Sequence, residues 1–246
     1  MSLIAFVFIF GGTLVGMILR RVLPDHHLRD DSRDVIKLAT GLVGTMSALV
    51  LGLLVASAKG FYDAQTTEIT QISANIVFLD RALALYGTET KEAREVLSNT
   101  AEKILDQSWS KNGTRAHRLD TASIGGGVLY DKIQALNPSD ELQRSIKSQA
   151  LSIAVNIGQM CMLMYEQATL VVSKPLLVIM VFWLTVTFVI WGLLAPPNGT
   201  VIAVMLASAL SASGAILLIL EMYSPYEGFI RVADAPLRAA LAHLGH

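Results

Sequence analysis

Four uncharged apolar runs constrain this chain more than any other feature of its sequence. They cover residues 1–19, 38–58, 175–196 and 200–220. An α-helix needs about 20 apolar residues to cross the hydrocarbon core of a bilayer. A soluble fold would have to bury all four runs, and only 16% of the residues are charged, against roughly 25% in an ordinary soluble domain. The sequence therefore predicts an all-α integral membrane protein with four transmembrane helices. The first run lacks a basic leading segment and a small-residue cleavage site, so we expect a retained span.

The polar segment 59–174, between the second and third spans, has a helical pattern. Its apolar residues recur at alternating spacings of three and four, which is typical of coiled-coil-like packing; they are Ile69, Ile72, Ile76, Leu79, Leu83 and Tyr86. No Pro or Gly interrupts 61–86, so we expect the second span to continue outward as one helix. Further helices are predicted at 89–109 and 128–136, with a loop at 111–127. Asn137-Pro138 predicts the start of a long helix towards residue 175.

These elements predict four parts. Residues 1–58 would hold the first two spans, and 59–174 an extramembrane domain continuous with the second helix. Residues 175–222 would hold the last two spans, and 223–246 a C-terminal tail. An even number of spans places both termini and the 59–174 domain on the same side of the membrane.

Basic residues near the spans bear on which side that is. The first loop contains Arg20, Arg21, Arg29, Arg33 and Lys37, whereas the other side has Lys59, Lys174, Arg231 and Arg238. The positive-inside rule therefore favours a cytoplasmic first loop by one residue.

The second span carries a small residue at every fourth position. The row consists of Gly44, Ala48, Gly52, Ala56, Gly60 and Ala64. Small residues allow membrane helices to approach closely, because apolar burial alone gives them little attraction in lipid. The row can serve packing within one subunit or contact between copies. Steps of four residues advance about 400° around a helix, so the row drifts by about 40° per step. Such a sloping groove favours several successive neighbours, as in a ring.

Polar residues on the same helix are candidates for a pore. Lys59 and Asp63 lie one turn apart at the end of the span and could form a charged pore mouth; the alternative is an interfacial anchor with an exposed ion pair. Thr45, Ser47 and Ser57 could line the pore, or could bond to backbone carbonyls and neighbouring helices.

Further polar residues near the spans are structural candidates, namely Glu166, Gln167, Glu221 and Arg231. A carboxylate such as Glu221 would need a partner if it lay within the bilayer. His26-His27 has no third histidine nearby, so a solvated loop is preferred to a metal site. Cys161 is the sole cysteine. The chain shows no metal, nucleotide or catalytic motif, and its net charge of -1 gives no indication of nucleic-acid binding. We expect neither an enzyme nor a cofactor.

Several stretches resemble the bacterial bestrophin-like domain family. They are 51–59 (LGLLVASAK), 62–65 (YDAQ), 75–81 (NIVFLDR), 165–167 (YEQ), 181–185 (VFWLT), 195–198 (APPN), 224–231 (SPYEGFIR) and 235–238 (APLR). The chain departs from the family pattern at Tyr223, where an acidic residue is common, and at Cys161-Met162, where an aromatic is common.

This resemblance implies similarity to bestrophins, which are pentameric anion channels whose pore is lined by the second span. It implies an inner-membrane, multi-pass bacterial protein that conducts inorganic ions, with Lys59 at the pore mouth. Bestrophins keep the inter-span domain in the cytoplasm, opposite to the side that the basic residues favour, so the orientation stays open. The alternative function is a non-conducting scaffold or sensor whose helical domain binds a partner.

Overall fold

A computed structural model of the chain describes residues 2–24, 30–109, 126–169, 174–226 and 228–244. These residues are almost entirely helical and include no β-strand. The α-helices in chain order are α1 (Ser2–Val22), α2 (Asp30–Tyr86), α3 (Lys91–Ser108), α4 (Gly126–Gln134), α5 (Glu141–Thr169), α6 (Lys174–Leu194), α7 (Gly199–Met222) and α8 (Ala235–His243), and a short 3₁₀ turn, Thr88–Thr90, precedes α3.

Four of these helices are long and apolar enough to cross a membrane. They are α1, α2, α6 and α7, and they contain nearly all of the four apolar runs of the sequence, since α6 ends at Leu194, two residues before the third run does. The fold is therefore that of an all-α integral membrane protein with four spans and a helical domain between the second and third, as the sequence predicts. The chain divides into two compact units, one of residues 1–61 with 171–223 and the other of residues 62–170 with 224–246.

The first unit contains the spanning helices, and α1 and α6 pack with their backbones in close contact. A Cβ atom added to Gly12 would lie 3.0 Å from the Thr185 carbonyl oxygen, and one added to Gly16 would overlap the Val189 carbonyl oxygen. From the other helix, a Cβ at Gly192 would overlap the Thr13 carbonyl oxygen. Glycine at these positions removes the side chains that would hold the two backbones apart, which is how membrane helices gain van der Waals contact.

The second unit has an apolar core built from α2, α3, α4, α5 and α8. Five residues of the predicted stripe, Ile69, Ile72, Ile76, Leu79 and Leu83, are at most 1% exposed, which confirms that this face of α2 packs inward. A bidentate ion pair lies at the edge of this core. In it, Arg94 Nε and Nη2 donate to the Asp80 carboxylate at 2.6 and 2.9 Å.

Two expectations about the second unit need correction. The long helix α5 begins at Glu141 rather than at Pro138, because the Asp140 carboxylate accepts from the Gln143 N–H at 2.6 Å and so satisfies an amide of the first turn. The residues after 223, expected to be a tail, contain α8, whose Leu237 and Ala240 are buried in the core. The predicted loop at 111–127 lies largely outside the described residues, and α4 begins at Gly126.

Candidate pore-forming helix

The spanning part of α2 buries one narrow stripe in its own protomer. Thr40, Ser47, Leu54 and Ala58 are at most 5% exposed. At about 100° per residue these four positions fall within roughly 40° of each other around the helix. The rest of this part of α2 is half-buried or exposed, so most of its circumference is available to lipid or to another chain.

The small-residue row lies on this available surface. Ala48, Gly52, Ala56 and Gly60 are exposed, and Gly44 is half-buried. A Cβ atom added to Gly44, Gly52 or Gly60 would meet nothing within 4 Å among the described residues outside its own stretch of helix. These glycines therefore differ from Gly12 and Gly16 on α1 and Gly192 on α6, where the backbone of the facing helix occupies the space of a side chain.

A groove opens beside the row, between α2 and α6 of the first unit. Its volume is about 580 Å³. Its lining includes Lys37, Gly41, Gly44, Ala48 and Trp191. Thr40 and Thr45 also line it, and their hydroxyls donate to the carbonyl oxygens of Ile36 and Gly41 at 2.7 and 2.9 Å. Apart from Lys37, the groove therefore presents a mainly apolar surface.

The predicted pore-lining residues take different positions. Thr45 is exposed and lies on the side of α2 opposite the buried stripe. Ser47 is 3% exposed and donates to the Val43 carbonyl oxygen, so it faces the interior of its own protomer. The Ser57 hydroxyl lies 3.0 Å from the hydroxyl of Tyr223. Tyr223 directly follows α7, the fourth span.

The charged candidates lie at the ends of the spans. Lys59 and Asp63 are both exposed on α2, and Glu221 is half-buried near the end of α7. Glu166 is exposed near the end of α5. Arg231 is also exposed, and its Nε donates to the Gly228 carbonyl oxygen at 2.7 Å. No cluster of metal-binding side chains occurs among the described residues, and His26-His27 lies outside them.

Gln167 belongs to a hydrogen-bonded chain in the second unit. Its Nε2 donates to Glu68 at 2.7 Å, and its Oε1 accepts from Gln65 Nε2 at 2.7 Å. Gln65 is fully buried and accepts from the Tyr226 hydroxyl at 2.6 Å. Sequence reasoning singled out Gln167 but not the other three. The signal for Gln65 was its place one turn before the buried Ile69 on the same helix face, and Glu68 follows Gln65 by three residues, a spacing at which helical side chains are neighbours. The contact with Tyr226 spans 161 positions and leaves no local pattern.

The fold and this helix define a class: a four-span helical membrane protein with a helical domain inserted after the second span and a largely uncovered second helix. Comparisons with known proteins agree. The chain belongs to the Bestrophin-like domain family, whose pattern matches residues 7–237. A comparison with curated protein sequences gives no match.

Solved structures share the fold. Two single-substitution variants of a bacterial bestrophin homologue from Klebsiella pneumoniae align with TM-scores of 0.69 and 0.67, each covering 98% of this chain and 96% and 97% of the other. A structure described as a membrane protein with a glycine-to-alanine substitution aligns with a TM-score of 0.70 over 99% of this chain and 97% of the other. All three are 12% identical to this chain, so they establish the fold and not the activity.

Proposed function

We propose that this protein is a homo-oligomeric, anion-conducting channel of the bacterial inner membrane, a pentamer whose pore is lined by α2. The observation that carries the proposal is the uncovered small-residue row of α2. Glycine in a helix interior costs about 1 kcal/mol relative to alanine, yet a Cβ atom at Gly44, Gly52 or Gly60 would meet nothing within 4 Å among the described residues outside its own stretch of helix. Contact between α2 and other copies of the chain would explain why glycine occupies these positions.

The faces of α2 are arranged as a ring of copies requires. The buried stripe faces the protomer, and Thr45, Gly52 and Ala56 lie on the opposite side, which would face the axis. One flank of α2, between the buried stripe and the opposite side, carries small residues, namely Gly41, Gly44 and Ala48. The other flank carries large exposed side chains, namely Leu42, Met46 and Leu53. Small residues on one flank can receive large residues from the next copy, which is a head-to-tail contact that closes into a ring.

Membership of the bestrophin-like family supports ion conduction, since the bestrophins that the family name refers to are pentameric anion channels. Lys59 would supply positive charge at one mouth of the pore, with Asp63 one turn further along the helix. A ring of cationic side chains raises the local concentration of anions and lowers that of cations. Four spans keep both termini and the 59–174 domain on one side of the membrane.

Reversal of the charge at Lys59 tests the anion preference. We expect Lys59→Glu to lower the ratio of chloride to potassium permeability by roughly fivefold or more, since two close charges near a protein surface interact by about 1 kcal/mol or more. The measurement is the reversal potential of purified protein in planar bilayers under a potassium chloride gradient. Lys59→Arg, which keeps the charge, is the matched control and should behave as wild type. Unchanged selectivity in Lys59→Glu would refute the role of Lys59.

A further inference from the structure

A cavity of about 460 Å³ opens in the second unit, where α2 ends and α3 begins. The turn between these helices contains Gly87, whose φ of 134° is a positive value that favours glycine. The Thr90 hydroxyl donates to the carbonyl oxygens of Leu83 and Gly87 at 2.7 and 2.8 Å, which fixes the turn. Leu244, just after α8, also lines the cavity. A volume of this size falls within the range of small-molecule sites, about 300–1,000 Å³.

The guanidinium group of Arg94 is held in the wall of this cavity by a buried partner. Its Nε and Nη2 donate to the carboxylate of Asp80, which is 5% exposed. This ion pair leaves Nη1 with two N–H groups, and no acceptor among the described residues takes either of them. Because the guanidinium is planar, the contact with Asp80 also fixes the direction in which Nη1 donates. Arg94 is therefore a positioned donor for a planar anionic group.

Further donors lie on the same face of α3. Lys91, Arg94 and Ser98 follow one another at spacings of three and four, at which helical side chains are neighbours, and all three line the cavity. Within the described ranges, neither the Lys91 ammonium nor the Ser98 hydroxyl has a hydrogen-bond or ion-pair partner. Thr88 adds an exposed hydroxyl from the turn. The wall is thus rich in donors whose capacity the protein itself does not use.

Two carboxylates also line the cavity, and they differ in what they can still bind. Both oxygens of Asp80 already accept from Arg94. Glu95 is exposed and has no printed bond to any other described residue, so it is the one uncommitted carboxylate of the described lining. The unused donors outnumber it. An anion therefore finds more partners here than a cation does, and Glu95 opposes its binding.

We propose that this cavity binds a small organic carboxylate, whose carboxylate group accepts from Arg94 Nη1 and Ser98 beside the positive charge of Lys91. The cavity is larger than an inorganic oxyanion needs, so there is room for a carbon body. Leu244 and the carbon stems of Lys91 and Arg94 provide apolar surface for that body. The proposal does not depend on whether α2 lines a pore.

Isothermal titration calorimetry of the full-length protein in detergent tests the site, with succinate as the probe and inorganic phosphate as a comparison of similar charge. We expect saturable binding of one succinate per chain at low ionic strength. Phosphate lacks the two methylene groups of succinate and should bind roughly tenfold more weakly. Absence of saturable succinate binding, or equal affinity for phosphate, would overturn the proposal.

Two charge variants on α3 test the sign of the ligand. Lys91→Met should weaken succinate binding roughly fivefold, and Glu95→Gln should strengthen it by a similar factor, because each charge lies close to the bound anion. Lys103→Met removes an exposed lysine of α3 that does not line the cavity, and it should bind as wild type does. Weaker binding by Glu95→Gln, or wild-type affinity in Lys91→Met, would contradict an anion site here.

The role of Arg94 is tested by a substitution that keeps its charge. In Arg94→Lys one ammonium group can pair with Asp80 but cannot also present a fixed second edge, so we expect at least a tenfold loss of succinate affinity with helix content unchanged by circular dichroism. Ser98→Ala removes one donor, should weaken binding roughly threefold, and serves if Arg94→Lys does not fold. Wild-type affinity in Ser98→Ala, or in a folded Arg94→Lys, would show that the ligand lies elsewhere.

Discussion

Replacement of Gly16 by leucine is expected to prevent the first unit from folding. Even a single Cβ atom at this position overlaps the Val189 carbonyl oxygen, and a backbone atom cannot turn away as a flexible side chain can. Overpacking usually costs about 1–3 kcal/mol; here we expect more, because α1 and α6 must separate along their length and lose the contacts that hold membrane helices together.

The matched control for this substitution lies five residues earlier in the same helix. A Cβ atom at Gly11 would meet nothing within 4 Å in the described structure, so Gly11→Leu adds an apolar side chain without a collision. Size-exclusion chromatography and thermal unfolding in detergent compare the two. Gly16→Leu should give little monodisperse protein, whereas Gly11→Leu should resemble wild type. Equal stability of the two variants would contradict the close packing of α1 on α6.

Leucine at Gly44 is expected to abolish assembly while leaving the protomer folded. Gly44 lines the groove on α2 and has room for a side chain within its own protomer. If the next copy enters this groove, three added carbons beyond Cβ block it. We expect the particle mass measured by light scattering or native mass spectrometry to fall from that of the oligomer to that of one chain, 26.6 kDa. Helix content by circular dichroism should stay the same.

The control for assembly is again Gly11→Leu, which adds the same side chain at another uncovered glycine of the first unit. It should remain oligomeric. A Gly44→Leu protein that keeps the wild-type mass would show that the groove lies outside the contact between copies. A wild-type protein of monomeric mass would remove the basis for a ring altogether.

Much of the fold can be predicted from the sequence, because the bilayer imposes strong rules on length and polarity. The four spans follow from uncharged runs, and the inward face of α2 beyond the membrane follows from the three-and-four spacing of Ile69 to Leu83. The start of α5 could not be predicted from Asn137-Pro138 alone, since Asp140 offered a competing cap. The helix α8 was missed because it is short, and its two buried residues, Leu237 and Ala240, do not form a long pattern.

The candidate site was predictable in part. The small-residue row on α2 could be identified by its spacing. Spacing does not distinguish a glycine that packs against another helix of the same protomer from a glycine that no such helix contacts. Gly16 and Gly44 belong to similar motifs, yet the first is covered by α6 and the second is not. Ser47 could not be separated from Thr45 by residue type, because only the packing of the other spans decides which side of α2 is covered.

Cysteine accessibility along α2 tests most directly whether copies of this helix enclose an ion pathway. The native Cys161 is buried, and its pKa is raised to about 12, so it is a poor target for thiol reagents, and Cys161→Ser removes it. On that background, Thr45→Cys and Ala56→Cys place thiols on the side of α2 opposite the protomer. Val178→Cys, exposed on α6, is the control that faces lipid or another chain.

Chloride flux from proteoliposomes is measured before and after addition of a charged, membrane-impermeant thiol reagent. We expect the Thr45→Cys and Ala56→Cys proteins to conduct and then to be blocked, and the Val178→Cys protein to conduct without block. Flux that persists in both α2 variants, despite complete modification of their thiols shown by mass spectrometry, would contradict a pore lined by α2. Absence of flux from the unmodified protein under any ion gradient would contradict the channel itself and favour a non-conducting scaffold or sensor.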